Sequence, residues 1–139
     1  MTMMKAKLAA FSVLVCFVLA APGVLAHHSF AAEFDAMKPL TLKGIVTKIE
    51  WANPHTYFYM DVTSPDGKVV NWGMEMGSPN GLMRQGWTRN TMKVGDVVTV
   101  EGSRAKDGTH VGNARVVVLA ATGRRLFAAS SQDSPTSDR

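Results

Sequence analysis

Apolar and polar residues alternate with a period of two over much of the chain, which predicts a mainly β protein. The first predicted strand covers residues 40–51, and a change of phase at Gly44 indicates a bulge or sharp bend there. A second strand is predicted over residues 56–62, with Tyr57 and Tyr59 on the face opposite Phe58, Met60 and Val62, and a third over residues 69–76. Between these two, Ser64-Pro-Asp-Gly67 is a strong hairpin-turn sequence.

A short helix is predicted after the third strand. Ser78 is a favourable N-cap, Pro79 suits the first turn, and Gly86 suits the position after the last turn. Leu82 and Met83 would supply its apolar contacts. A helix of about two turns is not stable in isolation, so packing against the sheet must hold it.

Two more strands are predicted, over residues 97–103 and 111–119, joined by a tight turn at Lys106-Asp-Gly108. The order is therefore three strands, a helix and two strands, and the first strand is bent. This order is typical of a five-stranded OB-like barrel with one short helix between strands 3 and 4. The alternative is an open antiparallel sandwich.

The N-terminus has the pattern of a secretory signal peptide. Lys5 and Lys7 precede an apolar run over residues 8–21, and Val24-Leu-Ala26 is a small-residue cleavage sequence. We therefore expect a signal peptide at residues 1–26, a mature chain that starts at His27, and a periplasmic location. The apolar run is shorter than the ~20 residues of a spanning helix, so no stable membrane span is expected after cleavage.

The remaining boundaries follow from composition. Residues 27–127 would form the OB-like domain, and residues 128–139, rich in Ser, Asp and Thr, would form a disordered tail. Cys16, the single cysteine, lies in the signal peptide, which excludes disulfides from the mature domain. The net charge of +4 includes both signal-peptide lysines and no basic run follows, so we expect no nucleic-acid binding.

Four blocks of sequence carry a family resemblance. They are His27-His-Ser-Phe-Ala-Ala-Glu-Phe-Asp35, Trp51-Ala-Asn-Pro-His55, Gly77-Ser-Pro-Asn80 with Gly86-Trp-Thr-Arg89, and Val94-Gly-Asp-Val-Val-Thr-Val-Glu-Gly102. In these blocks the chain resembles the DUF6152 family of small exported bacterial proteins. The resemblance covers nearly all of the mature chain and implies an exported, OB-like domain. It implies no activity, because none is assigned to the family.

The predicted N-terminus is a candidate copper site. The α-amine and the imidazole of His27 can chelate one metal ion, and His28, His55 or His110 could supply a third nitrogen. Three nitrogens suit Cu(II), which tops the divalent affinity order at such sites. In the alternative interpretation these histidines are ordinary polar residues, and the protein has no cofactor. Trp72, Met74 and Met76 could similarly bind Cu(I), although in-phase Trp and Met side chains on a strand are more simply core.

Signals for an enzyme are poor. The chain has no nucleophile elbow and no phosphate-binding loop. Its scattered acids are interpreted as solvated surface; they are Glu33, Asp35, Glu50 and Glu75.

A binding role is the main prediction. The loop between strands 1 and 2 lies on the binding side of an OB-like barrel, and it carries Trp51, Asn53 and His55. Trp87 and Arg89, after the helix, are further candidate ligand contacts, or Trp87 simply covers one end of the barrel. The predicted function is a non-catalytic module that binds an envelope protein or a small ligand. The alternative function is copper binding.

Overall fold

The computed structural model describes residues 30–129 and is mainly β. Its helices are α1 (Phe30–Glu33) and α2 (Pro79–Arg84), and its strands are β1 (Phe34–Glu50), β2 (Tyr57–Thr63), β3 (Val69–Glu75), β4 (Val97–Ala105), β5 (Val111–Leu119) and β6 (Arg125–Phe127). The predicted signal peptide, His27 and His28, and residues 130–139 of the predicted tail lie outside the described residues. No helix in the described part is long and apolar enough to cross a membrane.

All six strands belong to one sheet, in the order β3-β2-β1-β4-β5-β6. Neighbours in this order are antiparallel, and β3 pairs in addition with β5 in parallel, over Gly73 to Glu75. The prediction of five strands was therefore wrong in number. The sixth strand was missed because it has only three residues and begins with the second of two consecutive arginines, which hides any alternation.

The first strand is longer and bent at different points than predicted. It begins at Phe34, and its pairing shifts register between Asp35 and Pro39 and again between Val46 and Lys48. The predicted bulge is not at Gly44, which instead allows β1 and β2 to lie close together. A Cβ at Gly44 would lie 2.5 Å from the carbonyl oxygen of Asp61, so only glycine allows β2 to approach this closely.

The helix lies between β3 and β4, as predicted. The Ser78 hydroxyl accepts a hydrogen bond from the amide of Gly81 at 3.2 Å, and Gly86, with φ of +94°, follows the last turn. Leu82 is fully buried, whereas Met83 is 51% exposed. The prediction that Met83 packs inward was wrong, because so short a helix turns only one side to the sheet.

The ordered domain also extends past the predicted start of the tail. Ala128 donates a hydrogen bond to the carbonyl of Arg115 at 2.8 Å and accepts one from the amide of Gly77 at 2.8 Å. Both Ala128 and Ala129 are buried. These backbone bonds, rather than side-chain hydrophobicity, keep the two residues on the domain, so composition did not reveal them.

One face of the β2–β3 hairpin forms the core. Phe58 and Met60 of β2 pack there with Trp72 and Met74 of β3, and Trp72 is only 8% exposed. Burial of Trp72 is therefore confirmed. Because side chains alternate along a strand, Tyr57, Tyr59 and Glu75 occupy the opposite face.

We expect the change Trp72→Ala to lower the free energy of unfolding by about 3–5 kcal/mol, since it removes a large buried side chain. Urea denaturation measures this value. Met37→Ala is the control, because Met37 is 88% exposed and its loss should change stability by less than about 0.5 kcal/mol. A loss under about 1 kcal/mol for Trp72→Ala would show that Trp72 contributes little to the core.

Candidate functional site

A buried carboxylate is the most unusual feature of the outer face of β2 and β3. Glu75 is 6% exposed, accepts a hydrogen bond from the hydroxyl of Tyr57, and has one oxygen 3.2 Å from Nδ1 of His55. Asn113 of β5, also buried, is its register partner on the other side. Burial of a carboxylate is unfavourable unless such partners compensate for the lost water. The prediction that Glu75 is solvated surface was therefore wrong.

Tyr57 is a fixed donor in this cluster. Burial strongly raises the pKa of its hydroxyl, and the hydrogen bond to Glu75 and the charges of Glu75 and Glu33 raise it further. The hydroxyl consequently keeps its proton across the ordinary pH range. It can orient Glu75 and is a poor general base near neutral pH.

Tyr59 lies next to this cluster and is held in a similar way. Its hydroxyl donates to Glu50 at 3.2 Å, and the ammonium group of Lys48 lies 5.2 Å from its ring centroid. Across the hairpin, a Cβ at Gly73 would lie 3.2 Å from Cε1 of Tyr59, so the ring rests on the bare backbone of β3. Each of the two tyrosines thus donates its hydroxyl to a carboxylate on the outer face of the hairpin.

A groove of about 380 Å³ opens beside Tyr57. Its apolar lining includes Phe34, Ala105 and Val111, and its polar lining consists of Glu33, Lys106, Asp107 and Thr109. This volume is within the range of small-molecule sites.

The walls of the groove are α1 and the β4–β5 turn, and Lys106 ties them together. Its amide donates to the carbonyl of Glu33 at 2.9 Å, and its ammonium group donates to the carbonyl of Ala31. Within the turn, the carboxylate of Asp107 accepts hydrogen bonds from the amide and hydroxyl of Thr109, at 3.0 and 2.7 Å. Both walls are therefore fixed by hydrogen bonds.

The predicted ligand contacts do not meet at this groove. Trp51, Trp87 and Arg89 line a separate crevice whose free volume is about 0 Å³. Trp87 is buried there and donates its indole N–H to the carbonyl of Phe127 at 2.8 Å. That geometry agrees with Trp87 as a cover over the core. Asn53 is exposed on the β1–β2 loop, and of the five predicted contacts only His55 joins the Glu75 cluster.

The predicted metal ligands are placed as follows. His55 contacts Glu75, and the ring of His110 meets Trp72 edge-on at 5.1 Å between centroids. Met74 and Met76 are core residues. Among residues 30–129, no group of three or more His, Cys, Asp or Glu side chains is placed to hold a metal ion.

Sequence reasoning missed Tyr57, Glu75 and the groove as a site. The alternation did place Tyr57 and Tyr59 on one face and could have placed Glu75 there as well. The alternation contained no signal that β5 and the β1–β2 loop would cover Glu75, because the contacts of Glu75 with both elements depend on strand pairing.

We expect the two tyrosines, the only ones in the chain, to ionise in separate steps above pH 10. Because the folded pKa of Tyr57 is raised above the unfolded value of 10.0, the stability it contributes is present below pH 10 and is lost as the pH rises further. Phenolate absorbance measures the steps, and Tyr57→Phe should remove the later one. One step near pH 10 with the amplitude of both tyrosines would contradict this assignment.

Comparison with known proteins identifies the family. Neither the curated proteins nor the solved structures contain a match to the chain. A family model described as a family of unknown function does match, over residues 13–114. This match spans well over half of the chain and agrees with the resemblance seen in the sequence blocks. The protein therefore belongs to the DUF6152 family.

Proposed function

We propose that this protein is an exported binding module built on an OB-like barrel, and that it binds a small ligand in the groove beside Tyr57. The strand pairings support the barrel. They run from β1 through β2 to β3, and from β1 through β4 to β5, and the β3–β5 pairing joins the two series into a closed cycle. In this arrangement β6 is an addition to β5. Export is proposed from the signal-peptide pattern of the N-terminal sequence.

The buried Glu75, whose hydrogen-bond partner Tyr57 lines the groove, is the observation that carries the binding site. Buried and paired ionisable groups are concentrated at functional sites. The face of β2 and β3, with the β4–β5 turn, is also the side on which OB-like barrels bind ligands. The groove lies between these two elements, since its lining includes Tyr57 of β2 and residues 105–111.

The same geometry favours binding over catalysis. One oxygen of Glu75 accepts a hydrogen bond from Tyr57, the other lies beside Nδ1 of His55, and the raised pKa of Tyr57 keeps its hydroxyl protonated. Tyr57 is therefore a poor general base near neutral pH. Nucleic acid is a poor ligand for this face, because the carboxylates of Glu33 and Asp107 at the groove would repel phosphates.

A fragment screen by NMR tests the site with a chemically diverse library of small molecules. We expect fragments to shift the amide signals of Thr109 and Val111, and we expect Ala32→Trp, which fills the groove from α1, to abolish these shifts. Ala32 is exposed, so the change should leave the fold intact. The matched control is Ala121→Trp, which adds the same side chain at another exposed position, far from Ala32 in the sequence. Fragments that bind elsewhere, or none that bind, would contradict the proposal.

Copper binding is the second candidate, and the contact of His55 with Glu75 favours it. Histidines that bind metals usually donate their other ring N–H to a carboxylate, which fixes the ring and raises its basicity. Glu75 stands in that position toward Nδ1, and the side chain of His55 is 32% exposed, which leaves Nε2 for a metal. In this proposal the amine and imidazole of His27 chelate Cu(II), and His28, His55 or His110 supplies the third nitrogen.

Calorimetry with Cu(II) tests this candidate on the processed protein, after intact mass has established that it starts at His27. One residue added before His27 removes the free amine of the chelate, so it should weaken binding at least about tenfold. His55→Ala and His110→Ala then identify the third nitrogen, and Zn(II) should bind less tightly than Cu(II). Equal Cu(II) affinity of the native and extended forms would refute the chelate.

A further inference from the structure

We propose that the ligand of the groove is a neutral carbohydrate, one sugar ring of which stacks on the ring of Tyr57. This inference rests on the proposed binding function and names its ligand class. It follows from three properties of the groove: a fixed aromatic ring, a lining with donors and acceptors, and charges of both signs.

The ring of Tyr57 is a prepared stacking surface. Its hydroxyl is bound to Glu75, and its backbone lies in β2 between two paired strands. A ring that is already immobile loses little conformational entropy when a ligand packs on it. One face of a pyranose ring presents C–H groups, which pack well on an aromatic face. Phe34 and Ala105 of the lining are buried, and the half-buried Val111 adds apolar surface beside them.

The polar lining matches the hydroxyl groups of a sugar, which both donate and accept hydrogen bonds. Glu33 and Asp107 supply carboxylate oxygens, and Lys106 and Thr109 supply donors. Lys106 already donates to Ala31, and Asp107 already accepts from Thr109. An ammonium group has three donors and a carboxylate about four acceptor sites, so both retain capacity for a ligand.

Because the groove carries both positive and negative groups, it excludes ligands with a large net charge of either sign. An anion such as a phosphate would meet Glu33 and Asp107, and a polyamine would meet Lys106. The negative charge of Glu33 also acts on Tyr57 in the groove, because it contributes to the raised pKa of the Tyr57 hydroxyl. A neutral, polyhydroxylated ligand can bond to both kinds of group without an unpaired charge, and its C–H face uses the aromatic ring.

Titration of the processed protein with maltotriose, cellotriose and chitotriose, followed by NMR, tests the inference. At least one sugar should shift the amides of Ala32, Thr109 and Val111. Tyr57→Ala should weaken that binding at least about tenfold, and Tyr57→Phe, which keeps the ring but loses its bond to Glu75, should weaken it less than Tyr57→Ala does. Tyr59→Ala is the matched control, because Tyr59 lies on the same face and bonds to a carboxylate but does not line the groove.

The outcomes separate the two proposals. If fragments of other chemistry bind in the groove and no sugar does, the carbohydrate is wrong and the binding site stands. If neither binds, both proposals fail. Sugar binding that is unaffected by Tyr57→Ala overturns the stacking. Should Tyr57→Ala fail to fold by circular dichroism, Ala32→Trp tests the groove, since it should abolish sugar binding, and upfield ring-current shifts of the bound sugar's C–H protons in the native protein test the stacking, their absence overturning it.

Discussion

The structure depends on a short stretch of parallel pairing between β3 and β5. Over Gly73 to Glu75, β3 has β2 on one side and β5 on the other, so this stretch has strand neighbours on both edges. Small residues make the approach possible. A Cβ at Gly112 would lie 2.9 Å from the terminal methyl group of Met74. This contact joins β5 to the β2–β3 hairpin, and so helps to place the β4–β5 turn beside Tyr57.

The same pairing explains why a carboxylate can be buried on the outer face. Glu75 is placed between Tyr57 of β2 and Asn113 of β5, and the β1–β2 loop brings His55 to its remaining oxygen. The hydrogen bond from Tyr57 and the contact with His55 replace part of the hydration that burial removes. Because loss of one partner would leave a buried charge poorly compensated, the loop, the hairpin and β5 are energetically coupled at Glu75.

This coupling gives the proposed site its character. Tyr57 belongs both to the Glu75 cluster and to the groove, so its ring is held before any ligand arrives. The opposite wall is fixed separately, by the bonds from Lys106 to α1. Preorganised walls and a mixed lining are properties of a binding site. The copper candidate uses the same cluster differently, with Glu75 as the carboxylate that orients His55 toward a metal.

The sequence by itself determined the five main strands, the helix and the turns, and the core-facing side of strands 2 and 3, because period-two alternation and the Ser78-Pro79 start are local signals. It also placed Trp72 in the core and Tyr57 and Tyr59 outside it. Only the tertiary structure decided what covers the outer face. The bond from Lys106 to Ala31 spans 75 residues and the contact of His55 with Glu75 depends on hairpin register, so neither leaves a local pattern. For the same reason the sequence placed Glu75 on the solvated surface, whereas the structure buries it. The crevice at Trp87 likewise has almost no free volume.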